Sequence, residues 1–231
     1  MGDSSQRIDN LTLVIPAKDE ARSIGTIIER SLPYVAEIIV VDGNSSDQTR
    51  EIAEELGAKV ILDGGKGKGE ARRCCIEHIG KEITVFIDAD GSHDPNDIPR
   101  LVEPIIAGEA DHVTGSRLIG GSSELHGGFD ECFRLMGSSF ITACINWRFK
   151  VQLSDSQNGF RAIKTEVLRQ LDLREDLTTI EQEMIMKTLR KKYTMGEVPT
   201  HEYRRWHGES HINLLSVSHR YVYCLIKNLL F

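Results

Sequence analysis

Val85-Phe86-Ile87-Asp88-Ala89-Asp90 is the stretch that decides the fold of this 231-residue chain. It is an apolar run that ends in two carboxylates one residue apart. The run predicts a buried strand, and the two-residue period of an extended chain puts Asp88 and Asp90 on the same side. Carboxylate oxygens are hard ligands that suit Mg²⁺ or Mn²⁺ bridging a diphosphate. A solvated turn, a helix cap or a structural ion pair would explain the two carboxylates equally well, so the metal site needs support from other residues.

The composition fits one α/β domain, or one domain with a C-terminal extension, because 40% of the residues are hydrophobic. The 28 basic and 35 acidic residues give a formal net charge of -7, which argues against broad nucleic-acid binding but leaves local basic sites open. Five cysteines without metal-ligand spacing or a disulfide framework favour a reducing cytosol. Residues 1–10 lack the apolar centre of a secretory signal, and no apolar run approaches the roughly 20 residues that span a bilayer. We expect a cytoplasmic chain that at most rests on a membrane surface.

Short apolar runs alternate with longer amphipathic ones. Five runs are predicted to be strands: residues 11–15, 37–41, 58–62, 83–87 and 111–114. This alternation predicts a three-layer α/β/α sandwich with a mainly parallel central sheet and right-handed crossovers, and a further helix is expected at residues 131–149. Parallel sheets bind ligands at the carboxyl ends of their strands. Polar clusters follow the first four strands there, at residues 16–20, 42–47, 64–69 and 88–90.

Each further cluster has a functional and a structural interpretation. Asp42 and the small polar residues after it can hold a base or a ribose, or can simply cap the next helix. Lys66-Gly67-Lys68-Gly69 combines a flexible backbone with two cations and can follow phosphates, although such loops are often only mobile surface. The spacing is not that of a Walker loop. Gly115-Ser116-Arg117 brings a guanidinium to the same edge, where its fork suits a diphosphate.

These clusters, in this order, resemble a family 2 glycosyltransferase of the GT-A fold over residues 11–215. Val14-Ile15-Pro16-Ala17-Lys18-Asp19-Glu20 is similar to the opening Pro-x-x-Asn/Asp-Glu motif, residues 40–49 to the second motif, and residues 87–93 to the metal motif. The resemblance implies a Rossmann-like fold with Mg²⁺ or Mn²⁺ at Asp90 and Asp88. It also implies a nucleotide-sugar site made of Pro16, Ala17, Glu20, Asp42, Lys68, Asp88, Ala89 and Asp90.

The second half resembles the branch of this family that glycosylates polyprenyl or dolichyl phosphate. Asp155-Ser156-Gln157-Asn158-Gly159-Phe160-Arg161 is similar to its Asp-x-x-x-Gly-Phe-Arg/Lys motif, and Glu197-Val198-Pro199 with Arg205 and Gly208-Glu209-Ser210 is similar to its Glu-Val-Pro…Arg-x-x-Gly-Glu-Ser segment. The resemblance implies an acceptor-phosphate site made of Arg117, Arg134, Arg205, His207 and His211. The two histidines stand where relatives often have Arg and Lys, which predicts weaker or more pH-dependent phosphate binding.

The chemistry can be argued separately from the resemblance. Displacing a nucleoside diphosphate requires charge stabilisation on the leaving group, which Asp90 with its cation and Arg117 can supply. A phosphate acceptor, with a second pKa near about 6, is already largely ionised and needs binding cations rather than a base. Arg161 is one such cation, unless it is ordinary surface charge. Asp155 is the candidate base for a hydroxyl acceptor.

Two interpretations remain open for Glu181 and Glu183, and two for the C-terminal segment. Glu181 and Glu183 can face the sugar or compensate a helix dipole. Residues 212–231 have no acidic side chain and mix aliphatic, aromatic and basic ones, which predicts an amphipathic helix that follows a catalytic domain at residues 1–211. This helix can lie in a membrane interface, or it can dock on the chain's own sheet or on a partner subunit.

We therefore predict an inverting, metal-dependent hexosyltransferase that uses GDP-mannose or UDP-glucose and a dolichyl or polyprenyl phosphate at the cytosolic membrane face. No nucleic-acid partner is expected, and a homo-oligomer or a membrane subunit is possible. A family 2 enzyme with a small phosphorylated or carbohydrate acceptor, as in glucosyl-3-phosphoglycerate synthesis, is the main alternative. A sugar-phosphate nucleotidyltransferase is disfavoured because no glycine-rich loop follows the first strand. A non-catalytic nucleotide-sugar-binding protein is the remaining alternative.

Overall fold

The computed structural model describes residues 7–123, 129–207 and 214–230. Within these ranges seven strands form one sheet: β1 (Ile8–Ala17), β2 (Val35–Asp42), β3 (Lys59–Leu62), β4 (Ile83–Phe86), β5 (His112–Ser116), β6 (Arg161–Lys164) and β7 (Met195–Pro199). Their order is β3-β2-β1-β4-β6-β5-β7. β6 is antiparallel to β4 and β5, and the other pairings are parallel. The predicted mainly parallel sheet and its five strands are confirmed.

Helices cover both faces of the sheet and continue beyond it. They are α1 (Ile24–Ser31), α2 (Thr49–Glu55), α3 (Lys68–Cys74), α4 (Ile98–Ile106), α5 (Arg117–Gly120), α6 (Phe129–Phe149), α7 (Thr165–Gln170), α8 (Ile180–Arg190) and α9 (Leu214–Leu230), with short 3₁₀ turns at Ile76–His78 and Pro95–Asp97. The helix predicted at residues 131–149 is α6. None of the helices in the described ranges is both long and apolar enough to cross a bilayer.

The central strands are apolar at successive positions because both faces of the sheet are covered. Leu13 and Val85 point into one apolar cluster with the buried stripe of α1 and α4. Val14 and Phe86, one residue further along each strand, point into a second cluster with α7 and α8. This two-residue alternation produces the three layers that the sequence pattern predicts.

A third apolar cluster joins α6, α8 and α9 beside the sheet. Ile145, Ile185, Cys224 and Leu225 are buried there. One face of the predicted C-terminal amphipathic helix thus packs against the rest of the chain. The opposite face, with Tyr223 and others, is exposed.

The register of the parallel strands gathers the predicted clusters at one edge. Ala17 at the end of β1 is aligned with Asp42 at the end of β2. β4 lies on the other side of β1, and the N–H of Ile87 donates to the carbonyl of Val14 at 3.2 Å as the chain leaves that strand. Residues 88–90 therefore emerge beside Ala17.

Candidate active site

A cavity of about 630 Å³ opens at this edge of the sheet. Most of the residues predicted from the sequence line it: Pro16, Ala17, Glu20, Lys68, Asp88, Ala89, Asp90, Arg117, Arg134, Asp155 and Arg205. Asp42 lies between two lining residues, Val41 and Gly43. His207 is exposed and does not line the cavity, whereas His211 and the segment 208–210 lie outside the described residues.

Asp42 is fully buried at the end of β2. Its Oδ2 accepts the backbone N–H of Ser45 at 3.0 Å and lies 3.4 Å from Nε of Arg50. Its Oδ1 is buried and has no hydrogen-bond partner among the described residues. A buried acceptor without a donor is costly, so this oxygen suits an N–H or O–H of a bound nucleoside.

Lys68, at the first position of α3, binds the first carboxylate of the Asp-x-Asp pair. Its Nζ lies 2.6 Å from Oδ1 and 2.8 Å from Oδ2 of Asp88. Burial opposes the charge of Asp88, but Lys68 and His93 outweigh that effect and hold the pKa of Asp88 well below its usual range. A Cβ on Gly159 would lie 2.5 Å from Nζ and 2.8 Å from Oδ2, so a larger residue there would displace this ion pair.

Asp90, the second carboxylate, is 6% exposed and faces the cavity. Its Oδ1 accepts the N–H of Ser92 at 3.0 Å, and its Oδ2 lies 3.3 Å from Nε of Arg205. Gly91, between Asp90 and Ser92 in the sequence, has φ +79°, and the indole of Trp206 occupies the space where a Cβ would be. The glycine is required both by its backbone conformation and by this contact.

A divalent cation fits these ligands if substrate completes its coordination. No group of three His, Cys, Asp or Glu side chains within the described ranges forms a ready-made metal site. Mg²⁺, however, is commonly held by one or two carboxylates together with substrate phosphates and water. Asp90 could bind a cation through the oxygen that now contacts Arg205. Both oxygens of Asp88, two residues earlier, contact Lys68.

The buried carboxylate of Glu181, at the start of α8, forms ion pairs with three cations. Its oxygens contact Arg72, Arg161 at 3.0 Å and Lys68 at 3.1 Å. Both arginines are completely buried, and Arg72 also donates to the carbonyl of Gly159 at 2.8 Å. The cations hold the pKa of Glu181 below its usual value against the opposing effect of burial. The suggestion that Arg161 serves an acceptor phosphate is wrong, because its guanidinium is sealed inside this network.

Arg117, at the start of α5, is held by two carboxylates. Its Nε and Nη2 donate to Asp155 at 2.6 and 3.0 Å, and its Nη1 donates to Glu202 at 3.1 Å. Asp155 is itself positioned by Glu197 of β7, which accepts the N–H groups of Ser154 and Asp155. Burial raises the pKa of Asp155, but Arg117 outweighs this effect and brings that pKa below its usual value. The predicted contact of Arg117 with a diphosphate stays a prediction.

Three contributors to the site were not singled out from the sequence. His93 stacks on Phe160, with ring centroids 5.2 Å apart, and its Nε2 lies 3.8 Å from Asp88. Glu202 and Trp206 enter from the segment after β7. His93 belongs to the metal motif and could have been found there, whereas nothing near Glu202 or Trp206 in the sequence signals their roles. Glu183 binds the N–H groups of residues 174 and 175 instead of facing the cavity.

α6 and α9 contribute the more apolar part of the lining. Leu135, Phe140 and Ile141 come from α6, and Tyr221 and Val222 come from α9, together with the polar residues Arg134, Ser138 and Ser218. The hydroxyl of Tyr221 is hydrogen-bonded to Thr178 at 2.6 Å, which fixes α9 against the start of α8. The cavity therefore runs from a charged end at the strand ends to an apolar end between two helices.

A sheet with this topology, and a cavity with these carboxylates at its strand ends, define a glycosyltransferase of the GT-A type. Comparison with known families gives the particular family. Residues 12–172 match the family model described as Glycosyl transferase family 2, which is more than half of the chain. The chain belongs to glycosyl transferase family 2. The predicted family is confirmed, and with it the predicted enzyme class at the level of the family.

Curated relatives extend the likeness over most of the chain. Glycosyltransferase AglJ of Haloferax volcanii is 30% identical over 87% of this chain, which spans 65% of AglJ, slightly less than two thirds of its length. The dolichyl-phosphate hexose transferase of the same organism is 28% identical, over 89% of this chain and 87% of that protein. The UDP-N-acetylglucosamine--dolichyl-phosphate N-acetylglucosaminyltransferase of Methanococcus voltae is 29% identical, over 81% of this chain and 83% of that protein.

A solved structure supports the fold. Glucosyl-3-phosphoglycerate synthase from Mycobacterium tuberculosis, in complex with Mn²⁺, UDP and glucosyl-3-phosphoglycerate, superposes with a TM-score of 0.75 over 94% of this chain and 79% of that chain. The sequences are 23% identical, so the likeness is one of fold. It confirms the predicted GT-A architecture.

We expect Glu181→Gln to destabilise the protein by about 3–5 kcal/mol, because it leaves buried cations without a counter-charge. Urea denaturation followed by circular dichroism measures the free energy of unfolding. Glu54→Gln, on the exposed side of α2, is the matched control and should change it by less than about 0.5 kcal/mol. A loss for Glu181→Gln no larger than that of the control would show that this carboxylate does not organise the network.

Proposed function

We propose that the chain transfers a hexose from a nucleoside diphosphate sugar, GDP-mannose or UDP-glucose, to a dolichyl or polyprenyl phosphate, with inversion at the anomeric carbon. One observation carries the proposal: a single cavity joins a charged end to an apolar end between α6 and α9. A charged donor and a lipid-linked acceptor need these two environments. The relatives named for dolichyl phosphate support the acceptor class.

The transfer breaks the bond between the anomeric carbon and the leaving diphosphate while an acceptor phosphate oxygen forms the new bond to that carbon. Negative charge collects on the leaving group, and Lys68 and Arg205 are the lining cations nearest to the carboxylate pair. Mg²⁺ or Mn²⁺, when bound at Asp90, would supply further charge stabilisation. Asp42 and the end of β1 would hold the nucleoside.

The state of Asp155 favours a phosphate acceptor over a hydroxyl acceptor. A hydroxyl needs a general base with a pKa near the working pH, whereas a phosphate monoester is already largely ionised. Both oxygens of Asp155 accept hydrogen bonds from Arg117, and the pKa of Asp155 lies below its usual value. It is therefore a poor base, and its ion pair instead shapes the wall of the cavity.

The exposed faces of α6 and α9 support action at a membrane surface. Met136, Phe140 and Trp147 form an exposed stripe on α6, and Tyr223 and Ile226 belong to a similar stripe on α9. No acidic residue occurs from 134 to 150 or from 218 to 230, whereas both stretches carry Arg and Lys. Apolar and aromatic side chains flanked by cations suit the interface of an anionic bilayer. A lipid acceptor would enter the cavity between these helices.

The reaction can be tested directly. Purified full-length chain is incubated with Mg²⁺ or Mn²⁺, a short-chain polyprenyl phosphate and a panel of nucleotide sugars, and mass spectrometry detects products. We expect a glycosyl-phosphate lipid from one donor. Transfer only to phosphoglycerate or to a free sugar would replace the lipid acceptor with a small one. Nucleotide-sugar binding without any transfer would indicate a non-catalytic role.

Asp90→Asn should reduce metal-dependent transfer by at least about 100-fold, because an amide binds the cation more weakly than a carboxylate and the cation would stabilise the leaving diphosphate. The midpoint of thermal unfolding should change little, since the amide can still accept the N–H of Ser92. Asp9→Asn at an exposed position of β1 is the control and should leave transfer unchanged. Undiminished transfer in Asp90→Asn would remove this residue from the mechanism.

Replacing Trp147 and Tyr223 together with Ser should weaken binding to vesicles of phosphatidylcholine and phosphatidylglycerol by at least tenfold. Each aromatic side chain withdrawn from the membrane gives up roughly 1.5–3 kcal/mol, and about 1.4 kcal/mol corresponds to tenfold. Co-sedimentation measures the binding. Ile106→Ser, which removes an equally exposed apolar side chain at the end of α4, should have no effect. Equal losses in both variants would rule out a specific α6 and α9 surface.

A further inference from the structure

The ion pair between Arg205 and Asp90 occupies the oxygen that a catalytic cation would need. We propose that Arg205 keeps the place of the cation on Asp90, and that it exchanges this carboxylate for a substrate phosphate when the cation binds. The inference rests on the proposed function in that it describes how the donor site of that enzyme is regulated. Arg205 would thereby make phosphate binding dependent on prior occupation of Asp90.

The geometry makes the two cations competitors. Oδ1 of Asp90 accepts the N–H of Ser92 at 3.0 Å, and Oδ2 lies 3.3 Å from Nε of Arg205. Mg²⁺ binds carboxylate oxygens at about 2.0–2.1 Å, so a cation on Oδ2 would stand directly beside the guanidinium. The two positive charges repel one another in a site where Asp90 is 6% exposed. A cation on this oxygen therefore weakens the hold of Asp90 on Arg205, and Arg205 weakens the binding of the cation.

The backbone around Arg205 determines where the guanidinium can go. Residues 200–206, here called the strap, are bound to the strand ends at several points. The N–H of Tyr203 donates to the carbonyl of Ser92 at 2.8 Å, and the N–H of Trp206 donates to the carbonyl of Asp90 at 3.1 Å. The Trp206 indole packs on Gly91. The strap therefore keeps its place, and the exchange is a rotation of the Arg205 side chain, which is 31% exposed, within the cavity.

The surrounding charges explain why a placeholder is needed. Glu20 lines the same cavity as Asp90 and Arg205. Burial, and to a smaller extent the charge of Asp90, raise the pKa of Glu20, whereas Arg205 lowers it. Arg205 therefore stabilises the empty site. Once a divalent cation takes over, the guanidinium remains on the wall of the cavity, where a phosphate can receive it.

The affinity for Mn²⁺ alone, without nucleotide or acceptor, tests the exchange. Isothermal titration of the full-length chain should show that Arg205→Ala binds Mn²⁺ about fivefold more tightly than the unchanged protein, because the competing ion pair is lost. Arg205→Lys keeps a competing charge and should stay close to the unchanged protein. Arg204→Ala removes an exposed neighbouring charge and should have no effect. Equal or weaker Mn²⁺ binding by Arg205→Ala, or no detectable binding by any variant, would overturn the proposal.

A second measurement follows the side chain itself and does not depend on a variant that may fold poorly. The NMR signal of the Arg205 Nε–H group, assigned by its loss in Arg205→Lys, should move when Mg²⁺ is added and move again when inorganic phosphate follows. Phosphate added without Mg²⁺ should leave it in place. A signal that ignores Mg²⁺ would refute the exchange even if the chain makes glycosyl-phosphate lipid. A signal that responds in a chain without transferase activity would refute only the proposed function.

Discussion

The buried carboxylate of Glu181 is the constraint on which the rest of the site depends. Arg72 and Arg161 have no exposure to solvent, and charges so placed are tolerated only when they are paired. Glu181 pairs with both and also with Lys68, so one side chain on α8 connects α3, β6 and the charged end of the cavity. Lys68 in turn fixes Asp88. The position of the first metal-motif carboxylate is thus set by a residue 93 positions away in the sequence.

The chain divides its two tasks between two kinds of structure. The charged end of the cavity is built from strand ends that are buried on both faces of the sheet and held by the Glu181 network. The other end is built from α6 and α9, which share a small apolar cluster and leave one face open. For the proposed transfer, rigid strand ends would suit the exact placement of a leaving group, and open helix faces would suit a long apolar acceptor from a bilayer.

The sequence was sufficient for five of the seven described strands and for the motifs, but not for the ion pairs. β1, β2 and β4 were predictable because strands covered on both faces are continuous apolar runs. β6 and β7 were not, since β6 begins with Arg161 and ends with Lys164, and β7 is only half-buried and ends in Pro199. Asp88 and Asp90 were recognisable from their spacing. Their partners were not, because the pairing of Arg72 with Glu181 spans 109 residues and that of Arg117 with Glu202 spans 85. Arg161 is an example: its motif predicted a phosphate-binding cation, but the side chain is buried in an ion pair with Glu181.

The cavity is not a basic patch, although the proposed substrates are anionic. Lys68 is paired with Asp88 and Glu181, Arg117 with Asp155 and Glu202, and Arg205 with Asp90. For each of these cations, contact with a phosphate means loosening or leaving a carboxylate. The carboxylate released is itself poorly hydrated and needs a new counter-charge. A divalent cation bound at the strand ends would meet that need and would bind a phosphate as well. For the proposed reaction, the acidic residues would therefore make the binding of an anionic donor conditional on the binding of a cation.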